Sequence, residues 1–315
     1  MSFAFVFPGQ GSQSVGMLAP LAAAEPLVQE TFAEASAVLG YDLWKLCQGG
    51  PEEELGKTER TQPAMLAAGV ATWRVWRKHG GGLPAAMAGH SLGEYSALLA
   101  AGVMDFPTAL RLVRRRGELM AGAREGGMAA IIGLDEAPLE QICREASTED
   151  APVVIANYNS PGQLVISGAG AAVERACALA KERGAKRALP LKVSAAFHSP
   201  LMRAAAEGLA AAVAQAAIVN ARTPVISNVT AEPLTQADAI RRELIAQVTS
   251  PVRWIASVRR MSADGIDTFV EIGPGSVLTG LIKRIVPDAR LANVSDWASA
   301  HSYLENSGVR SQESE

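Results

Sequence analysis

Ser91 lies in the pentapeptide Gly89-His90-Ser91-Leu92-Gly93, which joins a short apolar run to a predicted helix. A GxSxG pattern between a strand and a helix is typical of a nucleophile elbow, in which small flanking residues allow a strained turn and expose the hydroxyl. The backbone amide of Leu92 then points at the developing oxyanion. The pattern favours Ser91 as a nucleophile, and the alternative is a glycine-rich turn with an incidental serine.

A serine hydroxyl needs a general base, because it is a weak nucleophile at its own pKa. The sequence has 4 histidines. His79 ends a basic helix, His90 adjoins the serine, where chain geometry aims its ring elsewhere, and His301 lies near a polar tail. His198 therefore remains as the predicted base, and its alternative interpretation is a core histidine with satisfied hydrogen bonds.

The imidazole also needs a group that accepts its other ring N–H. Asp105, Glu118 and Glu271 could each supply a carboxylate, and a main-chain carbonyl would serve equally well. The sequence leaves this choice open.

The segment Phe7-Pro8-Gly9-Gln10-Gly11-Ser12-Gln13 follows the first predicted strand. It is not a phosphate loop, because no Gly-Lys-Ser/Thr follows, and Ser14 stands where the third glycine of a dinucleotide-binding loop belongs. One functional interpretation is that a backbone amide of this loop reaches the oxyanion from the side opposite Leu92. The alternative is a plain turn.

Arg114-Arg115-Arg116 lies on a helix predicted over residues 108–121. Successive helical residues point about 100° apart, so the three guanidinium groups cannot all be equally solvated. Most of them fit a solvated basic face. One arginine turned into the site would form a fork for a substrate carboxylate.

Short apolar runs alternate with longer helical periods along the chain, which predicts an α/β fold with a mostly parallel sheet. Residues 128–193 instead follow the order β-α-β-β-α-β, which is typical of a ferredoxin-like unit. We therefore predict a large α/β subdomain in two parts, 1–125 and 196–305, an inserted small subdomain at 126–195, and a disordered tail at 306–315.

The predicted elements follow from these patterns. Strands are expected over residues 3–7, 85–88, 128–133, 153–158, 164–168, 187–193, 225–227 and 268–272. Helices are expected over residues 26–39, 63–78, 108–121, 138–146, 171–183 and 200–216, with one after Gly93 and a closing helix after Gly275.

Composition excludes several classes of function. The formal net charge is -3, so no global basic field exists to hold nucleic acid or an anionic membrane. The 3 cysteines are far apart, which predicts neither a disulfide framework nor a zinc site. No apolar run is long enough to span a bilayer, and the first residues indicate a strand rather than a signal peptide. We expect a cytoplasmic protein.

The motifs together resemble the malonyl-CoA:acyl carrier protein transacylase family. The resemblance rests on the Gln10 loop, the Ser91 elbow continued by Glu94-Tyr95, and Glu271-Ile272-Gly273-Pro274-Gly275. It also includes, in order and at suitable spacing, Thr61-Gln62-Pro63-Ala64, Asn159-Ser160-Pro161-Gly162-Gln163 and Phe197-His198-Ser199. This combination is far more specific than GxSxG alone. It implies a hydrolase-like core with a mostly parallel sheet and an inserted ferredoxin-like subdomain.

The resemblance also implies catalytic roles. Ser91 would be the nucleophile and His198 the base. The backbone amides of Gln10 and Leu92 would form the oxyanion hole, and the main-chain carbonyl of Gln247 would orient the histidine.

For the substrate, the resemblance implies that Arg116 pairs bidentately with the malonyl carboxylate and that Met120 lines the acyl pocket. Phe197 is the form associated with malonyl rather than methylmalonyl selection. The expected reaction is ping-pong transfer from malonyl-CoA to an acyl carrier protein through a malonyl-serine ester, supplying fatty acid synthesis. It needs no metal or redox cofactor, because transfer between thioester and ester is nearly balanced.

Three alternatives stay open at this point. A serine thioesterase or other hydrolase would use the same elbow and base. A non-catalytic docking module could retain the fold. The same chemistry could also serve a polyketide synthase or a malonate decarboxylase. Candidate contacts for an acidic carrier are Lys186, Arg187, Lys283 and Arg284, for which solvated surface is the alternative.

Overall fold

The computed structural model describes residues 2–123, 126–193 and 195–295. The strands in this part of the chain are β1 (Phe3–Phe7), β2 (Ala86–Gly89), β3 (Gly127–Ile132), β4 (Val153–Ser160), β5 (Gln163–Gly168), β6 (Arg187–Pro190), β7 (Val225–Ile226), β8 (Pro233–Leu234), β9 (Thr268–Ile272) and β10 (Arg290–Val294).

The α-helices within the same ranges are α1 (Ala19–Ala24), α2 (Pro26–Leu39), α3 (Leu43–Gly49), α4 (Glu52–Leu55), α5 (Thr58–Lys78), α6 (Gly93–Ala100), α7 (Phe106–Gly122), α8 (Glu136–Ala146), α9 (Gly170–Glu182), α10 (Arg203–Gln215), α11 (Ala237–Ala246), α12 (Trp254–Ala263) and α13 (Val277–Ile285). A 3-10 turn, Pro200–Met202, precedes α10. Among the described helices, none is both long and apolar enough to cross a bilayer.

The larger sheet has the strand order β10-β9-β1-β2-β7-β8 and is parallel except for the β7–β8 pair. Strand β1 is buried along its whole length because helices cover both faces of the sheet. Alternation along β1 sends Phe3, Phe5 and Phe7 to one face, where Phe5 meets Trp76 of α5 with ring centroids 5.4 Å apart. The other face carries the cluster that includes Trp254 of α12.

This sheet brings the two predicted oxyanion loops together. Strands β1 and β2 are parallel neighbours, and Phe7 pairs with Gly89 at their carboxyl ends. The loop that carries Gln10 and the elbow that carries Ser91 therefore leave the sheet at the same edge, which is where sites form in open parallel sheets.

The smaller sheet has the strand order β4-β5-β3-β6 with antiparallel pairing throughout. Helices α8 and α9 pack on it around a separate cluster that includes Ile131, Leu139 and Ile166. The predicted fold class, a mostly parallel sheet plus a ferredoxin-like unit, is confirmed. The subdomain boundaries stay predictions, and they fall at or beside residues 124, 125 and 194, which lie outside the described residues, as does the tail 306–315.

Some predicted element bounds were wrong. Helix α5 begins at Thr58 rather than at Pro63, so Pro63 lies inside the helix, one turn beyond the N-terminal positions where a proline is usually found. Strand β6 ends at Pro190 rather than at residue 193, and one further backbone hydrogen bond, from Leu191 N–H to the Met128 carbonyl at 2.9 Å, follows it. Helices α11 and α12 and the edge strand β10 were not predicted.

Candidate active site

Ser91 occupies a strained turn between β2 and α6. Its φ is 51°, in the left-handed region that non-glycine residues rarely adopt. The turn is fixed from both sides of the residue. The Ser91 N–H donates to Asn228 Oδ1 at 2.7 Å, and the Ser91 carbonyl accepts from Gln247 Nε2 at 3.0 Å.

The two glycines of the GxSxG pattern are required by close packing. A Cβ added to Gly89 would lie 1.9 Å from the carbonyl carbon of Gly93, and one added to Gly93 would lie 2.0 Å from the backbone oxygen of Phe7. Helix α6 thus lies directly against the end of β1. This contact sets where the Ser91 hydroxyl and the Leu92 amide stand relative to the Gln10 loop.

The Ser91 hydroxyl contacts the imidazole of His198. Ser91 Oγ lies 2.7 Å from His198 Nε2, and His198 Nδ1 lies 2.9 Å from the Gln247 carbonyl oxygen and 3.1 Å from that of Ser250. Because carbonyl oxygens only accept, Nδ1 carries the proton and Nε2 is free to accept from the hydroxyl. Burial, together with the positive charge of Arg116, lowers the pKa of His198 to about 3. The imidazole is neutral at neutral pH, as a general base must be.

The three carboxylates considered for orienting the histidine all have other partners. Asp105 caps α7, Glu118 pairs with the exposed Arg114, and Glu271 accepts backbone amides at the start of α13. The position beside Nδ1 of His198 is occupied by main-chain carbonyls, which the sequence had left as one of several options.

The three consecutive arginines of α7 have different environments, as their helical spacing predicted. Arg114 and Arg115 are about half exposed and pair with Glu118, whereas Arg116 is 2% exposed. Only Arg116 of the three lines the site cavity.

The Arg116 guanidinium lies against the Ser91 hydroxyl. Nη2 donates to Ser91 Oγ at 3.1 Å and to Gln247 Oε1 at 2.9 Å, and Nη1 donates to Gln62 Oε1 at 2.8 Å. These acceptors are neutral, and no carboxylate of the described residues forms an ion pair with Arg116, so the site contains a buried cation without a direct counterion. Burial lowers the pKa of Arg116, which shows that the guanidinium gives up favourable hydration here.

A cavity of about 730 Å³ opens over these groups. The predicted site residues that line it are Gln10, Ser91, Leu92, Arg116, Met120, Phe197 and His198. Gln247 does not line the cavity, but it is hydrogen-bonded to Ser91, Arg116 and His198, which do. Within the described ranges, no group of three or more histidine, cysteine or acidic side chains is placed to hold a metal ion.

The backbone amides of Gln10 and Leu92 face this cavity from two loops. Neither amide has an acceptor among the residues that the structure describes. The Gln10 side chain accepts from Thr58 Oγ1 at 3.0 Å, which holds its loop against α5. Leu92 immediately precedes α6, so its amide lies at the positive end of the helix dipole. The two amides are free to donate to a developing oxyanion.

Four polar residues of the site were not predicted from the sequence: Gln62, Glu94, Asn228 and Ser250. Gln62 is 1% exposed on a helix whose neighbouring residues are mostly apolar, and a polar residue inside such an apolar run is a usable sequence signal. Asn228 and Ser250 lie in loops whose sequences carry no comparable signal.

Comparisons with known proteins agree with this geometry. Residues 4–307 match the family model described as "Acyl transferase domain". The chain is 55% identical over 306 residues to malonyl CoA-acyl carrier protein transacylase of Escherichia coli O157:H7, covering 96% of this chain and 99% of that protein.

Solved structures also match the chain over nearly its whole length. The malonyl CoA-acyl carrier protein transacylase of Coxiella burnetii superposes with a TM-score of 0.96 at 46% identity, covering 99% of this chain and 98% of that one. A chain of the complex PlMCAT:AntF (holo), a type II PKS acyl-carrier protein with its malonyl-transacylase, gives a TM-score of 0.95 at 53% identity, covering 97% of this chain and 100% of that one. The chain is therefore an acyltransferase of the malonyl-CoA:acyl carrier protein transacylase family, as its motifs had indicated.

Proposed function

We propose that this acyltransferase moves a malonyl group from malonyl-CoA to the phosphopantetheine thiol of an acyl carrier protein, through a malonyl ester on Ser91. The observation that carries the proposal is the placement of Arg116. A buried cation without a direct counterion lies 3.1 Å from the nucleophilic oxygen, which suits an acyl group that ends in a carboxylate. The names of the relatives support the same substrate and partner.

In the first half-reaction, His198 Nε2 takes the proton from Ser91 as Oγ attacks the thioester carbonyl. The amides of Gln10 and Leu92 donate to the oxyanion that forms. Collapse of the tetrahedral intermediate breaks the carbon–sulfur bond, and His198 returns its proton to the departing coenzyme A thiolate.

In the second half-reaction, the carrier thiol gives its proton to His198, and its sulfur attacks the malonyl ester. The same amides stabilise the second oxyanion, and the proton passes back to Ser91 Oγ as the ester bond breaks. No proton or electron is gained or lost over the cycle. The malonyl carboxylate stays on Arg116 throughout, which keeps the acyl carbonyl at the same position for both attacks.

A hydrolase with the same groups is the main alternative, and its product would be free malonate. The test is the intact mass of the protein after mixing with malonyl-CoA. We expect a stable increase of one malonyl group, lost on adding holo carrier protein and absent in Ser91→Ala. Release of malonate at the catalytic rate without carrier would instead show hydrolysis.

Fatty acid synthesis is the proposed pathway, and a polyketide synthase is the second candidate because one similar solved structure is a type II PKS complex. The proposed carrier contact is an exposed basic cluster of Lys186, Arg187, Lys283 and Arg284. Arg187 and Arg284 of this cluster lie near the same end of the small sheet. Arg187 and Gln163 both pair with Ile132 of β3, and Arg284 Nη1 donates to Gln163 Oε1 at 2.7 Å.

A further inference from the structure

A buried carboxyl group lies behind the nucleophile and takes no part in the mechanism above. Glu94 is in the first turn of α6 and is 0% exposed. Its Oε1 accepts from the backbone N–H of Asn228 at 3.0 Å, and its Oε2 accepts a short hydrogen bond from Gln247 Nε2. A buried carboxyl with two donors is held firmly in place.

Both partners of Glu94 hold the backbone of Ser91. Asn228 accepts from the Ser91 N–H through its side chain, and Gln247 donates to the Ser91 carbonyl. A non-glycine residue at positive φ is strained and persists only where its surroundings fix it. Glu94 connects the two groups that fix the turn at Ser91.

Gln247 links Glu94 by hydrogen bonds to His198 and Arg116. Its main-chain oxygen accepts from His198 Nδ1, and its side-chain Oε1 accepts from Arg116 Nη2. The Gln247 amide can serve both Arg116 and Ser91 in only one orientation, with Oε1 toward the guanidinium and Nε2 toward the carbonyl. Glu94 is a second acceptor on the Nε2 side beside the Ser91 carbonyl, and so it strengthens the preference for that orientation.

We propose that Glu94 is a positioning residue for acyl transfer, which acts through Gln247 and Asn228 to hold Ser91, His198 and Arg116 in reactive geometry. The proposal rests on the proposed role of Ser91 as nucleophile. Glu94 touches neither substrate nor the reacting atoms.

The two hydrogen bonds that Glu94 accepts make a sharp test available. Burial, and after it the nearby Glu243 carboxylate, raises the pKa of Glu94 well above its usual value, although Asn228, Gln247 and Arg116 act in the opposite direction. A glutamine amide has nearly the same shape as a carboxyl group but only one acceptor oxygen. Glu94→Gln therefore changes one acceptor into a donor, and in either orientation an NH₂ group faces Asn228 N or Gln247 Nε2.

The experiment compares Glu94→Gln with Glu271→Gln. Glu271 is also fully buried and accepts two backbone amides, at 3.0 and 2.8 Å, but they belong to α13 and not to the site. Two rates are measured for each variant: malonyl transfer to holo carrier protein, and labelling of Ser91 by an alkyl fluorophosphonate. The second probe has no carboxylate and no thioester, so it reports the reactivity of Ser91 for any acyl substrate.

We expect Glu94→Gln to lower kcat for malonyl transfer and the rate of phosphonylation by a similar factor, about 10- to 100-fold, with a smaller change in KM. Glu271→Gln should lower Tm by a comparable amount and leave phosphonylation within about twofold of wild type. A folded Glu94→Gln protein that is labelled at the wild-type rate would overturn the proposal, as would equal slowing by both variants.

Two outcomes separate this inference from the proposed function. If the wild type transfers no malonyl group while Glu94→Gln still slows phosphonylation, the substrate assignment fails and the positioning role stands. If Glu94→Gln does not fold, Glu94→Asp replaces it, because a carboxyl shorter by one methylene cannot reach both donors. Selective slowing of phosphonylation in Glu94→Asp supports the role, and a wild-type rate refutes it.

Discussion

Replacing Arg116 with alanine tests whether the buried cation selects the substrate. Among the described residues the guanidinium donates only to neutral oxygens, and a malonyl carboxylate would give it a charged partner. Hydrogen bonds to charged groups contribute about 1.5 to 3 kcal/mol, so Arg116→Ala should lower kcat/KM for malonyl-CoA about 10- to 100-fold. Acetyl-CoA has no carboxylate, so its kcat/KM should not fall by a comparable factor.

The same substitution should make acetyl transfer easier in one respect. Arg116 donates to Ser91 Oγ and is, after burial, the main cause of the lowered pKa of His198. Without the guanidinium the imidazole becomes a stronger base and the serine oxygen loses a donor that competes for its lone pairs. Acetyl transfer is therefore expected to hold constant or rise.

The assay measures kcat/KM for both thioesters with holo carrier protein as acceptor. Arg115→Ala is the matched control, because it makes the same change one residue away on an exposed face of α7. It should leave both substrates unaffected. If Arg116→Ala lowers malonyl and acetyl transfer equally, Arg116 is structural and the argument from charge is refuted.

Three further predictions follow from other parts of the structure. Gly93→Ala should lower both Tm and activity, because its Cβ would lie 2.0 Å from a backbone oxygen of β1. Gly122→Ala is the control and should be tolerated, since its Cβ would have no atom within 4 Å, and thermal melts compare the two variants. The rate of Ser91 acylation in stopped-flow experiments should stay constant from about pH 7 to pH 5, since a pKa of about 3 keeps His198 neutral over that range. A rate that begins to fall near pH 6.5, the usual pKa of a histidine, would contradict this lowered pKa. Arg284→Glu should raise the KM for carrier protein more than the KM for malonyl-CoA. Arg144→Glu, near the far end of α8, is the control. Equal effects of the two variants would show that the basic cluster is not the docking surface.

Local patterns predicted the fold class because each element bears its own signal. The apolar run of β1, the strand-to-helix elbow and the β-α-β-β-α-β order are properties of neighbouring residues. Element ends were less certain, as Pro63 inside α5 shows. Strand β10 is only partly buried at the sheet edge, so its sequence shows no strong strand pattern.

The residues of the candidate site also differ in whether local sequence or only the fold indicates them. A short motif predicted Ser91 as the nucleophile and elimination predicted His198 as the base, and the structure places the two side chains in contact. The group beside His198 Nδ1 could not be found from the sequence, because a main-chain carbonyl is present at every residue and only the fold selects which one is near. Glu94 was visible only as part of a motif, and its contacts to Gln247 and Asn228 span 153 and 134 residues of sequence.

The buried guanidinium explains why selection and catalysis share one group of contacts. A cation taken from water is costly unless it is paired, and the acceptors of Arg116 within the described residues are three neutral oxygens. A carboxylate-bearing acyl group relieves that cost and, by neutralising the guanidinium, also removes part of the Coulombic effect that lowers the pKa of His198. In the proposed mechanism, binding of a malonyl group would thus strengthen His198 as the base 2.7 Å from Ser91 Oγ, whereas an acetyl group would leave both the cation and the base as they were. Selectivity should therefore show in the acylation rate as well as in the binding of malonyl-CoA.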